Sequence, residues 1–168
     1  MSPFATVLLM ASGDERPVAP TALSGKGLRI AVIRASWNAT IVDRLMAGTE
    51  RALSDFDVDI AEQVSVPGCF EIPLACRTLA LSGKFDAIIT IGAIIRGETT
   101  HYEIVSNAAA SGIQAVQLET GIPIAFGVLS VESQDQARAR SEGAGGHNVG
   151  AEAARVAVEM AQLTADWR

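Results

Sequence analysis

The chain has 168 residues, 49% of them hydrophobic and 19% charged, enough apolar material for one domain with a core and too much for a disordered chain. The net charge is −6 and no basic cluster occurs, which argues against nucleic acid as a partner. No apolar run is long enough to span a bilayer. Mean hydropathy is nevertheless +0.28, so surface is expected to be buried between subunits, and no membrane partner is expected.

Residues 1 to 27 read as an extension punctuated by Pro17, Pro20, Gly25 and Gly27. Residues 28 to 168 read as a single domain. Phe4 to Met10 only weakly resembles a signal peptide, because no basic segment precedes it and Asp14 and Glu15 follow. The alternative is an edge strand laid on a neighbour. The first core strand is predicted at Leu28 to Arg34, followed by the turn Ala35-Ser36-Trp37-Asn38. Ala39 to Leu53 then carries Ile41, Val42, Leu45, Met46, Thr49 and Leu53 at helical spacing. Trp37 lies in the turn at the ligand end of the sheet. It is either a packing residue or an aromatic that stacks on a flat heterocycle.

A second strand is predicted at Val58 to Val64. Two prolines and a glycine then force a defined loop, Val66-Pro67-Gly68-Cys69-Phe70-Glu71-Ile72-Pro73. Glu71 in that loop is either a solvated acid or an acceptor for hydroxyls. A helix follows over Leu74 to Leu81, with Pro73 as its first residue. Cys69 and Cys76 are the two cysteines. Their spacing is no metal signature, and they are expected to be reduced and buried, as in a cytoplasmic chain.

The third strand, Phe85 to Ile91, is apolar almost throughout and is expected to be buried on both faces of a parallel sheet. Gly92 to Glu103 follows, a polar turn that ends in a helix start, with Thr99 or Thr100 as cap. Ligands of open α/β sheets bind beyond the carboxyl ends of the strands, and free N–H groups at a helix start suit an anion. His101 stands there, and an imidazole moves protons near neutral pH. The helix is predicted over Tyr102 to Gly112. A fourth strand follows near Gly121 to Leu129. A short helix runs from Gln134 to Arg140, capped by Ser133 or Ser130. Ser141 to Asn148 is a glycine-rich break, and a last helix covers Val149 to Leu163, with Ala153, Val156, Ala157 and Met160 facing the core.

Strand and helix alternate four times. That order predicts an α/β fold, a three-layer αβα sandwich with a four-stranded parallel, flavodoxin-like sheet. No GxGxxG, Walker loop or nucleophile elbow is present.

Four blocks in this order resemble the lumazine synthase family: Trp37-Asn38, Val66 to Pro73, Gly92 to Tyr102, and Phe126-Gly127-Val128-Leu129. The resemblance runs from about Gly27 to Leu163. It implies condensation of 5-amino-6-ribitylaminouracil with 3,4-dihydroxy-2-butanone 4-phosphate, giving the lumazine, phosphate and water, with no cofactor and no metal. It implies that Trp37 stacks on the pyrimidinedione and that Cys69, Phe70 and Glu71 line the ribityl side. It also implies that Ala93, Ile94 and Ile95 offer backbone groups to the heterocycle. Glu98, Thr99 and Arg140 would hold the phosphate, His101 would transfer protons, and Phe126 would close the pocket from a neighbouring subunit.

The sequence departs from the family at Val149. Many members carry lysine near that position, or histidine in some fungal forms, and His147 is the nearby candidate to compensate. Members form pentamers, some of which pack into decamers or shells. The glycine-rich link Ser141 to Val149 resembles the fungal forms that stay pentameric, so a homopentamer is expected. Two other readings compete. One is a non-catalytic flavin or lumazine binder on the same scaffold, favoured by Val149 and opposed by His101 and Arg140. The other is a flavodoxin-like FMN domain, which would want a phosphate loop rich in Ser and Thr where Ala35 to Asn38 stands.

Overall fold

The computed structural model describes residues 23–167. Phe4 to Met10, and with them the edge strand read there, lie outside the described residues. Four parallel strands form one sheet in the order β2-β1-β3-β4: β1 Ile30–Ala35, β2 Ile60–Val66, β3 Ala87–Ile95 and β4 Ile124–Val131. The helices are α1 Ala39–Asp55, α2 Ile72–Leu81, α3 His101–Thr120, α4 Gln134–Ala139 and α5 Val149–Asp166. A single 3-10 turn, Cys69–Glu71, leads into α2. The layers are those expected of a flavodoxin-like αβα sandwich.

Alternation along β1 sorts the core. Ile30 and Val32 face α1 and α5, while Ala31, Ile33 and Ala35 face α2 and α3. The whole helical stripe expected on α1 is buried, from Ile41 to Leu53. The α1–α5 contact is close because of two glycines. A Cβ on Gly150 would stand 2.1 Å from the Leu45 carbonyl oxygen, and one on Gly48 would stand 2.1 Å from Asn148 Oδ1. Asn148 exploits that space. Its Oδ1 caps α5 by accepting from Ala151 N, and its Nδ2 donates to the carbonyls of Arg44 and Glu142.

Three expectations are corrected. β3 runs on to Ile95 rather than stopping at Ile91, because β4 continues beside it and pairs Gly92 to Ile95 with Val128 to Val131. α3 runs past Gly112 to Thr120 and stops at Gly121, whose φ is +68. Gly112 is a packing residue there, since a Cβ on it would meet Pro73 Cγ at 2.7 Å. Met160 lies off the buried stripe of α5, which is Ala153, Ala154, Ala157, Val158 and Ala161, and it is exposed. Smaller shifts also occur. α2 begins at Ile72, so Pro73 is its second residue, and Ser133 is the cap of α4, accepting from Gln136 N.

Candidate active site

The carboxyl ends of β1 and β3 open onto a cleft of about 620 Å³. Its floor is the edge of β3, Ala93 to Ile95. One wall is the 3-10 turn with Cys69, Phe70 and Glu71, and Trp37 stands at its mouth. The other wall is the first turn of α3. His101, Ile104 and Val105 share one helical face there and all line the cleft. A second cleft of similar volume lies between α1, α5 and the 143–146 loop, and none of the expected substrate, phosphate or catalytic residues lines it.

Local bonds set these walls. Ser36 N and Oγ both donate to the Val66 carbonyl, at 2.9 and 3.0 Å, and Trp37 N donates to Pro67 O. The β1–α1 turn is thereby tied to the proline loop. Trp37 is left 74% exposed, its ring edge leaning on Gly68, where a Cβ would stand 3.3 Å from Trp37 Cδ1. Asn38 takes the left-handed conformation, with φ 59 and ψ 42, and its Nδ2 donates to the Ala93 carbonyl at 2.8 Å. A short polar residue tolerates that backbone best after glycine.

Cys69 is buried against β3. A Cβ on Gly92 would lie 2.5 Å from its sulfur. Burial pushes the Cys69 thiol up to about 11. A backbone hydrogen bond at Ala93 pulls the other way, and the nearby Glu71 carboxylate adds to the rise. Cys76 is pushed up to about 12 by burial. Both cysteines are free, as expected, and neither is a nucleophile at neutral pH.

One of the two expected caps holds the helix start of α3. Thr100 takes the cap position without a side-chain bond, and Thr99 Oγ1 accepts from His101 N at 3.3 Å. Of the residues expected in the site, Trp37, Cys69, Phe70, Glu71, Ala93, Ile94, Ile95 and His101 line this one cleft. Glu98 and Thr99 are exposed on the loop before α3 and do not line it. Phe126 lies on the edge strand β4, 44% exposed. Arg140 follows α4, with Nη1 donating to Gln136 O at 3.2 Å. Neither lines the cleft of its own chain. Val149 packs against the α1–α5 core, and the neighbouring His147 Nε2 is 3.0 Å from Glu152 Oε1.

Four lining residues carried no role in the sequence reading. Ile104 and Val105 were recoverable from the helical period counted from His101. Gly68 and Asn38 are set by close approach and by a left-handed backbone, for which the signal is residue type alone.

The model of the 6,7-dimethyl-8-ribityllumazine synthase family matches residues 27–165. A 6,7-dimethyl-8-ribityllumazine synthase of Nitrosospira multiformis is 46% identical over 143 residues, 84% of this chain and 86% of the relative. That of Azoarcus sp. is 44% identical over 143 residues, 84% and 88% of the two chains. The chloroplastic protein of Arabidopsis thaliana is 43% identical over 150 residues, 88% of this chain and 66% of the relative. The matched span takes in all four strands and both walls of the cleft, and the chain belongs to the 6,7-dimethyl-8-ribityllumazine synthase family.

Proposed function

We propose that the chain condenses 5-amino-6-(D-ribitylamino)uracil with 3,4-dihydroxy-2-butanone 4-phosphate to 6,7-dimethyl-8-ribityllumazine, the penultimate step of riboflavin biosynthesis. The observation that carries this reading is the meeting of Trp37, the Cys69–Glu71 turn, the Ala93–Ile95 edge and His101 on one cleft. The cleft is of the size that takes a ribityl heterocycle. Trp37 stacks on the pyrimidinedione, Glu71 accepts from ribityl hydroxyls, and the β3 edge reads the ring through its backbone.

The chemistry needs proton transfers and charge stabilisation, and no change of oxidation state. The primary amine attacks the ketone and water leaves as the imine forms. A carbon-bound proton and the phosphate are then lost. The ribityl-bearing nitrogen closes the ring with loss of a second water. His101 shuttles these protons. Glu98 and Thr99 on the loop before α3, with the Arg140 guanidinium, hold the phosphate as it leaves. Holding the two substrates in contact contributes much of the remaining acceleration.

Phe126 and Arg140 lie outside the cleft of their own chain, which supports a site shared between copies. Phe70, Leu74, Ile104 and Leu118 are exposed apolar side chains on the same side of the sheet, and they supply a contact face. A heterologous contact of this kind closes into a ring, here a pentamer. The reduced cysteines fit a cytoplasmic setting.

The test is turnover of the purified chain with both substrates, followed by lumazine absorbance, with light scattering in parallel. Steady product formation and a mass near five chains are expected. Tight binding of the lumazine without turnover would favour the non-catalytic binder instead.

A further inference from the structure

Arg96 is the first residue after β3, and four attachments converge on it. Its backbone N–H donates to the Val131 carbonyl at 2.9 Å, adding a rung to the β3–β4 ladder. Its Nε donates to Glu132 Oε2 at 2.6 Å. Its Nη1 donates to Glu103 Oε1. Its guanidinium carbon lies 4.2 Å from the centroid of the Tyr102 ring. Glu132 is itself anchored, since its N–H donates to Gln136 Oε1 at 2.8 Å. The side chain therefore joins the end of β4 and the start of α4 to the first turn of α3.

That turn carries His101 on its other face. His101, Ile104 and Val105 point into the cleft, whereas Tyr102 and Glu103 are displaced around the helix by about 100° and 200° from His101. Val105 and Tyr102 pack this turn onto the core, but few other polar bonds fix the helix start. The cap residue Thr100 makes no side-chain bond, and the bond from His101 N to Thr99 is 3.3 Å long. Arg96 is also only two-thirds covered, at 35% side-chain exposure, so screening by solvent limits what these ion pairs add to stability. What they fix is a direction.

We propose that Arg96 is a positioning residue for His101: its guanidinium grips the back of the first α3 turn and sets where the imidazole stands above the Ala93–Ile95 floor. This rests on reading His101 as the proton-transfer group. The residue type follows from the geometry. Two carboxylates on different elements meet different nitrogens of one planar group, whose face also covers an aromatic ring. A lysine is a point charge and cannot hold both carboxylates and the ring together.

The test compares Arg96→Lys, Arg96→Ala and Glu132→Gln, each alone and combined with His101→Ala. Arg96→Lys should fold, with unchanged circular dichroism and lumazine affinity within about threefold of wild type. Its kcat should fall about 10- to 100-fold, the cost of a displacement near 1 Å. Glu132→Gln should lose less. Guanidinium ion should restore part of the kcat of Arg96→Ala. In the His101→Ala background Arg96→Lys should cost nothing further, because residues that act through one group are not additive. Unchanged kcat in folded Arg96→Lys, a rise in KM alone, or losses that multiply in the double variant would each overturn the positioning role. Wild-type turnover in His101→Ala would instead remove the reading of His101 itself.

Discussion

The Asn38 amide reaches from the β1–α1 turn to the carbonyl of Ala93 at the end of β3, 2.8 Å away. One side chain thus spans the two strand ends that frame the cleft. Its backbone is also left-handed. Asn38→Ala should lose both features and lower stability by about 1–3 kcal/mol, from one hydrogen bond and a strained φ. Asn38→Gly keeps the conformation and should lose only about 1 kcal/mol. Thermal unfolding at fixed protein concentration separates the two. Equal losses would mean that the left-handed backbone is of no account here.

Glu103 carries a pH signature. The hydrogen bond from Arg96 holds its carboxyl below the usual range. A depressed folded value means stability that is complete above the ordinary carboxylate pKa of about 4.3 and is lost as pH falls through the folded value. Glu103→Gln should therefore lower the melting temperature at neutral pH and converge on wild type in acid. A difference that stays constant from pH 7 to pH 3 would contradict the pairing.

The two thiols should be inert in the folded chain. With a pKa near 11, about one Cys69 thiol in a thousand is ionised at pH 8. Ellman's reagent should find no fast-reacting thiol in the native protein and two after unfolding. A rapid equivalent in the native protein would contradict the burial of Cys69 beneath Gly92.

Gly92→Ala should destabilise by about 1–3 kcal/mol, because its new Cβ would meet the Cys69 sulfur at 2.5 Å. Adding Cys69→Ala removes that sulfur and should recover part of the loss. Strict additivity in the double variant would place the strain elsewhere.

Trp37 should report ligand by fluorescence. It is 74% exposed at the cleft mouth, and stacking on a lumazine should quench it. Trp167 is also exposed, so Trp167→Phe gives the clean signal. A titration without quenching in that variant would argue against stacking.

Much of this was legible in the chain. The strands are β-branched runs, and the α1 stripe from Ile41 to Leu53 repeats at helical spacing, so layer order and core followed from periodicity. Gly112 misled because a glycine reads as a stop. Its reason for being there, Pro73 on another helix, is visible only in three dimensions. The end of β3 was misjudged for a similar cause, since glycine and arginine near Gly92 suggest a turn while the partner strand continues. Within the site, Cys69, Phe70 and Ala93 to Ile95 were singled out only through the family resemblance, and the structure brings them to one cleft. Asn38 and Arg96 act by bridging elements distant in sequence, and no local pattern encodes a bridge. Phe126 and Arg140 stand away from the cleft of their own chain, and strand and helix periods do not say which cleft a side chain lines.

The close seating of α5 on α1 bears on biosynthesis. Asn148 and Arg44, 104 positions apart, are directly bonded, and Gly150 abuts the Leu45 carbonyl. α5 follows the other described elements, so the side of the sheet that it shares with α1 stays partly uncovered until the ribosome has made it. At about 5–20 residues per second, the apolar face of α1 waits several seconds for its partner. Folding of this half is therefore completed only once α5 has been made, and a nascent chain stalled before Asn148 would be a natural client for chaperones.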